Sequence, residues 1–236
     1  LKELISNADV LIENFKVGGL KKFGLDYATL APDNPKLVYC SVTGFGQDGP
    51  RAQKAGYDFM IQGMTGIMDI TGEPEGMPQK VGVAFADVFT GLYGVIGIQA
   101  ALAQRARTGK GQHIDMALFD CMLAAQANQN LNYLTTGKSP QRMGNAHPSI
   151  VPYQVFPVGD GHIVIACGNN RQFHNLARAL NREDWIEDPI FADNITRIAN
   201  RAEVVRQIIE TLSLWAKLDV LPVLEAAGVP SGPINT

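Results

Sequence analysis

The sequence predicts an α/β protein: a large domain built on a parallel sheet, followed by a smaller α+β domain. Three observations carry this reading. Two apolar, strand-like stretches at residues 9–13 and 37–43 enclose a helix-spaced stretch at 18–23, the strand–helix–strand order of a βαβ unit. Between residues 135 and 149 the composition turns to Gly, Ser, Pro, Asn and Gln, as in a linker. Beyond it, residues 153–156 and 162–166 read as a hairpin, and helices follow. The boundaries drawn from these shifts are 1–137 for the large domain, which is incomplete, 138–152 for a linker and loop, and 153–236 for the small domain.

Taken in order, residues 1–6 form a short amphipathic helix and 9–13 have the apolar centre of a buried strand. Residues 18–23 return to helix spacing, Gly24 stops them, and 27–30 add one more turn. Residues 37–43 are β-branched and apolar, a second buried strand closed by a Gly-rich turn. A loop over 44–54, a helix over 57–68 and a polar loop over 71–79 come next. Asp87 opens a long helix that runs to about Arg107; residues 108–112 turn, 113–117 form a strand, and 118–134 a second long helix. In the small domain the chain reverses across Val158-Gly159-Asp160-Gly161, where the Asp-Gly pair signals a turn. Helices are expected at 171–180, 201–217 and 220–227, and no internal repeat or heptad run is visible.

Composition bounds the partners. The 236 residues leave room for one large domain or two small ones. With 46% hydrophobic and 18% charged residues a sizeable core forms. The formal net charge of −3 gives no reason to expect a nucleic-acid surface or a polybasic membrane anchor, so neither nucleic acid nor membrane is an expected partner. Cys40, Cys121 and Cys167 are odd in number and far apart, which points to neither a disulfide framework nor a zinc knuckle and suits a reducing, cytoplasmic compartment, or the mitochondrial matrix if the source is eukaryotic. No leader pattern stands at the start. The apolar run from Val88 to Gln104 falls slightly short of a membrane span of ~20 residues and is interrupted by Gly91, Gly94, Gly97 and Gln99; it reads as a buried helix. Because the chain opens inside a helical pattern and stops just after a turn, it is expected to be a segment of a longer protein.

Most motif matches dissolve on inspection. Gly44-Phe45-Gly46-Gln47-Asp48-Gly49 fits a dinucleotide fingerprint, but Pro50 and Arg51 follow where a helix must start, so a loop with several positive-φ positions is the better reading. Lys110-Gly111-Gln112 lacks the earlier glycine of a phosphate loop, Gln104 standing in its place, and no Ser or Thr follows the lysine. His113, His147, His162 and His174 are scattered, which gives a metal site little support, and no G-x-S-x-G elbow is present.

Asp87 is the most informative position. It follows the apolar run at residues 81–86 and has no basic neighbour in sequence. One reading is an N-cap, a role that contributes roughly 1 kcal/mol. The other, compatible with it, is a carboxylate held ionised by the helix dipole and desolvated enough to act as a nucleophile, with the glycines 91, 94 and 97 behind it. Such a glycine stripe also serves plain close helix packing.

Several stretches, in order, resemble the class III CoA-transferases. They are Ala8-Asp9-Val10-Leu11-Ile12-Glu13-Asn14-Phe15; Asn34-Pro35-Lys36-Leu37-Val38-Tyr39-Cys40-Ser41; Gly44-Phe45-Gly46-Gln47 with Gly49-Pro50; Gly56-Tyr57-Asp58; Ala86-Asp87-Val88-Phe89-Thr90-Gly91; residues 107–112; Gly144-Asn145-Ala146-His147-Pro148; and residues 228–233. Each is weak alone, and the ordered set is specific. The resemblance implies a Rossmann-like large domain with the fold of CoA-transferase family III, coenzyme A as co-substrate, no metal, acyl-CoA and small carboxylates as partners, and an interlocked homodimer of the full-length protein. It also implies that family members extend further at both ends. Asp87 matches the catalytic aspartate, which in that chemistry carries CoA as an aspartyl thioester. Lys22 and Phe23 match positions that contact CoA, Tyr57 and Asp58 an active-site pair near the acyl group, and Gly144, Asn145, Ala146 and His147 a glycine-rich loop over the active site whose amides serve an oxyanion. The stretch at 148–153 is closest to members that use succinyl-type donors. An α-methylacyl-CoA racemase shares the fold, but related racemases carry His where Tyr57 stands, and a phenol of pKa near ~10 is a poor base at neutral pH. A non-catalytic fragment of such an enzyme is the remaining alternative.

Overall fold

The computed structural model describes residues 1–235. Its contacts separate into two compact units, Leu1–Arg142 and a second that begins at Met143. That division falls inside the 138–152 segment, so the glycine-containing loop folds with the second unit.

The first unit runs α1 (Lys2–Ser6), β1 (Val10–Glu13), a 3-10 turn at Lys21–Phe23, α2 (Tyr27–Leu30), β2 (Val38–Thr43), α3 (Asp58–Met64), α4 (Phe85–Thr108), β3 (His113–Ala117), α5 (Leu118–Ala125) and α6 (Ala127–Thr136). The strands form a parallel sheet in the order β1-β2-β3, with Tyr39 of β2 opposite Leu11 and His113, and Cys40 opposite Ile12 and Ile114. Alternation along β2 sorts its side chains by face. Leu37 and Tyr39 pack with Ile5 and Leu30 on the side of α1 and α2. Val38 and Cys40 pack with Ala101 and Ile114 on the side of α4. Each fully buried aliphatic side chain there is worth roughly 1.5–3 kcal/mol.

Helix α4 approaches the sheet through its glycines. A methyl group at Gly97 would meet Ile114 at 3.3 Å and one at Gly94 would meet Met116 at 3.8 Å, so this part of the stripe is a packing device. The expectation of a buried helix is corrected. Only one face meets the sheet, and Val88, Leu92, Val95 and Ile96 on the other are between 46% and 63% exposed. The helix is long and apolar enough to span a membrane by length and composition alone. It ends as expected, at Gly109, whose φ of +71° forms a left-handed cap. Gly111 lies so close to the preceding strand's entry that a Cβ there would stand 2.0 Å from the Leu37 carbonyl oxygen, which accounts for the glycine after Lys110.

Four expected helices are shorter than their sequence pattern or broken, one of them the 201–217 helix of the second unit, which ends at Leu212. Residues 18–23 yield only the 3-10 turn, because Gly18 takes a φ of +75° and breaks the helical path, while Gly24 (φ +64°) stops it as anticipated. The 57–68 helix ends at Met64, just before Gly66 at φ +86°. The 118–134 helix is two helices that part at Gln126, whose buried amide donates to the carbonyls of Thr65 (3.0 Å) and Met122 (3.4 Å).

The second unit holds β4 (Tyr153–Val158), β5 (Gly161–Ala166), α7 (Asn170–Ala179), α8 (Asp184–Glu187), a 3-10 turn at Pro189–Phe191, α9 (Asn194–Ala199), α10 (Arg201–Leu212), α11 (Lys217–Ala226) and β6 (Ser231–Pro233). Strands β4 and β5 form the expected hairpin, with Gly159 and Asp160 as its two-residue loop, and β6 adds an antiparallel edge to β5. The core gathers Phe156, Ile163, Ile165, Phe173, Trp185 and Phe191, with Phe173 and Trp185 stacked on Phe191 at 5.5 and 5.3 Å. Arg197 is fully buried there without a carboxylate partner among the described residues. Its guanidinium donates instead to the carbonyls of Val151 and Phe191 and to Asn170 Oδ1.

Candidate active site

In an open parallel sheet, the loops that leave the carboxyl ends of the strands converge on one edge and form the usual ligand crevice. Asn14, Phe15, Lys16 and Val17 follow β1, Gly44 follows β2 and Leu118 follows β3. With Ala52, residues 54–58 and the first turns of α4 they line a cavity of about 490 Å³, within the range of small-molecule sites.

The cavity wall depends on one close crossing. A Cβ at Gly44 would lie 2.5 Å from Gly56 Cα, and one at Gly56 would lie 2.4 Å from Gly44 Cα. Two bare backbones therefore touch, and this seats Tyr57 and Asp58 directly against the exit of β2. Gly46 and Gly49 adopt φ of +87° and +84°, the positive-φ loop expected from the sequence. The loop is tied down by the Gly46 amide donating to Thr43 Oγ1 (3.0 Å) and the Gln47 amide donating to Asp115 Oδ2 (2.7 Å).

Asp87 lines this cavity together with Tyr57, Asp58, Thr90 and Gly91. It is the third residue of α4, not its cap; Ala84 holds the cap position and makes no side-chain cap bond. The capping acceptor comes from another element. Asp58 Oδ1 accepts the Ala86 amide hydrogen at 2.9 Å. Asp58 Oδ2 accepts from Gln62 Nε2 at 2.8 Å. Gln62 is fully buried; its Nε2 also donates to the Val83 carbonyl (3.3 Å), and its Oε1 accepts from the Val81 amide (2.9 Å). The chain leading into α4 is thus laced to α3.

The electrostatics differ from the expectation that the helix dipole holds Asp87 ionised. Loss of hydration at the cavity wall, and then the negative charge of Asp58, push its carboxyl above the usual carboxylate range. The residue as a whole is exposed in this chain, so the water-poor setting anticipated for it is only partly built by these residues.

Lys22 and Phe23 are not among the cavity-lining residues. They sit exposed on the 3-10 turn, the Lys22 ammonium 4.8 Å from the Phe23 ring centre. Gly144, Asn145, Ala146 and His147 belong to the second unit. There the Ala146 amide donates to Met143 O (3.0 Å) and the His147 amide to Tyr153 O (2.9 Å), while the Gly144 and Asn145 amides have no backbone acceptor among the described residues. Arg201 anchors the loop by donating to the carbonyls of His147 and Pro148.

The structure adds residues that sequence reasoning passed over. Lys16 and Lys54 bring two cations to the cavity, and neither forms an ion pair among the described residues. Asn14, Phe15 and Lys16 directly follow a parallel strand, and that position alone marks them as candidates. Gln62 carries no comparable signal.

A three-stranded parallel sheet with a cavity at its carboxyl edge that is lined by two carboxylates and two lysines, in a chain that also carries a separate antiparallel unit, defines an α/β protein with a ligand-sized site on its parallel-sheet unit. The chain belongs to CoA-transferase family III, whose family model matches residues 1–236. It is 54% identical to the succinate–glutarate CoA-transferase of Agrobacterium fabrum, covering 100% of this chain and 59% of that protein. It is 41% identical to the succinyl-CoA:glutarate CoA-transferase of Mus musculus, covering 100% of this chain and 54% of the relative. A crystal structure of a CaiB/BaiF family protein from Brucella suis superposes with a TM-score of 0.86 at 60% identity, covering 100% of this chain and 62% of that one. The chain therefore spans between about half and three-fifths of the length of these relatives.

Proposed function

We propose that the protein carrying this chain transfers coenzyme A from an acyl-CoA donor to a small carboxylic acid, with Asp87 as the nucleophile. The observation that carries the reading is the position of Asp87, on the wall of a ligand-sized cavity beside Tyr57 and Asp58, in a chain of CoA-transferase family III. A carboxylate oxygen of Asp87 attacks the thioester carbonyl and the C–S bond breaks, giving a mixed anhydride and CoA thiolate. The thiolate then attacks the aspartyl carbonyl; the anhydride C–O bond breaks, the donor acid leaves as a carboxylate, and an aspartyl-CoA thioester remains. The acceptor acid reverses the sequence. Covalent catalysis splits one exchange into easier steps, and water must be kept from the anhydride while it exists.

The relatives named above act on succinate and glutarate, which supports a dicarboxylate pair with succinyl-CoA as donor. Lys16 and Lys54 supply cations for the anionic groups such substrates bring to the cavity. An interlocked dimer in the cytoplasm belongs to the same reading, and sedimentation of the full-length protein tests the dimer.

The direct test is CoA exchange from succinyl-CoA to a panel of acids, with mass spectrometry of the trapped protein. A CoA adduct on the peptide holding Asp87 and loss of exchange in Asp87→Ala are expected. Exchange undiminished in Asp87→Ala removes the mechanism, and α-proton exchange without CoA transfer replaces it with racemisation.

A further inference from the structure

Gln62 is the least expected component near the site: a polar side chain 0% exposed, whose amide joins three separate partners. Both Nε2 hydrogens are used, one on Asp58 Oδ2 and one on the Val83 carbonyl, while Oε1 accepts from the Val81 amide. The carboxylate it grips caps the Ala86 amide, one residue before Asp87. Removing this amide would leave an acceptor on Asp58, a donor on the half-buried Val81 and an acceptor on Val83 without their present partner. It would also free the two things that define Asp87's surroundings: the course of residues 81–86 and the location of the Asp58 charge.

We propose that Gln62 is a positioning residue for the transfer reaction, acting through Asp58 to fix where the Asp87 carboxylate points and how near the Asp58 carboxylate stands to it. The proposal rests on the reading of Asp87 as nucleophile. Gln62 itself is buried and is not among the residues that line the cavity. It holds Asp58 in the one place where that carboxylate serves as cap for α4 and as negative neighbour of Asp87.

The test uses the full-length protein with Gln62→Met, which keeps the volume and removes every hydrogen bond. Succinyl-CoA-dependent exchange is measured across pH, alongside KM for succinyl-CoA and the thermal midpoint. The expected result is a kcat loss of roughly ten- to hundredfold, as for a misplaced reacting group, with the acidic limb of kcat/KM moving to lower pH as the Asp58 carboxylate is no longer held beside Asp87. A lowered thermal midpoint with an unmoved acidic limb overturns the proposal, since a merely structural role gives that result. If Gln62→Met does not fold, Asp58→Asn keeps an acceptor for Ala86 and removes the charge; its acidic limb must move in the same direction, and an unmoved limb overturns the proposal equally. The two readings fail separately. Activity retained in Asp87→Ala defeats the nucleophile assignment, whereas an inactive Asp87→Ala with an unmoved limb in the Gln62 and Asp58 variants defeats only the positioning role.

Discussion

Asp87 is held above the ordinary carboxylate range by lost hydration and by Asp58, and this has a consequence for folding as well as chemistry. A carboxyl that binds its proton more tightly in the folded than in the unfolded state contributes stability that is complete below the unfolded value, about 3.8, and is lost as pH rises through the folded one. At neutral pH the ionised Asp87 therefore opposes folding relative to a neutral side chain of the same shape. Asp87→Asn is expected to raise the denaturant midpoint at pH 7, with the gain vanishing towards pH 3, while CoA exchange is lost. Equal midpoints at both pH values would show that the site imposes no such strain. Asp87, Tyr57 and Asp58 were legible in the sequence through ordered family resemblance. The N-cap reading of Asp87 fails, because the acceptor that serves this helix end is Asp58, 28 residues before the Ala86 amide it takes. Lys54 and Gln62 were hidden for the same reason, each gaining its place only when segments remote in sequence meet, whereas Lys16 could have been found from its position just after β1.

At the scale of elements, periodicity served well wherever one face of a segment is buried and failed where tertiary contacts intervene. The parallel strands and the β4–β5 hairpin follow their apolar patterns. The split between α5 and α6 does not: it falls at Gln126, whose side-chain amide reaches the Thr65 carbonyl, a contact remote in sequence. Helices α8 and α9 are too short to display a period, and β6 is a three-residue edge. Helix α4 reads as apolar all round, which predicts burial on every side; the outward row Val88, Leu92, Val95 and Ile96 is nevertheless open in this chain. Contiguous apolar surface of that kind binds apolar probes. Residues 1–236 expressed alone are expected to enhance the fluorescence of an apolar dye, and the double change Leu92→Gln with Ile96→Gln to reduce the enhancement without lowering the thermal midpoint. A drop in midpoint would mean that these side chains already support the fold.

Across the whole molecule the two units differ in how their cores are made. The second unit gathers its buried residues into one continuous cluster that includes β4, β5 and the aromatic stack. The first distributes them over three smaller clusters, two on opposite faces of the sheet and one beneath α3, α4 and α5. Helix α6 has no buried residue at all. Opening free energies follow such differences, so hydrogen exchange is expected to be slowest at β5 and α7 and fastest at α6. Protection of α6 equal to that of β5 would refute this ordering. The touching glycines 44 and 56 bear on attempts to change what the protein accepts. Neither position admits even a methyl group, and enlarging one cannot be compensated by trimming its neighbour, which is already the smallest residue available. Reshaping of the cavity must leave that crossing untouched and begin instead at Gly91, on the same wall, where a new side chain would enter vacant space.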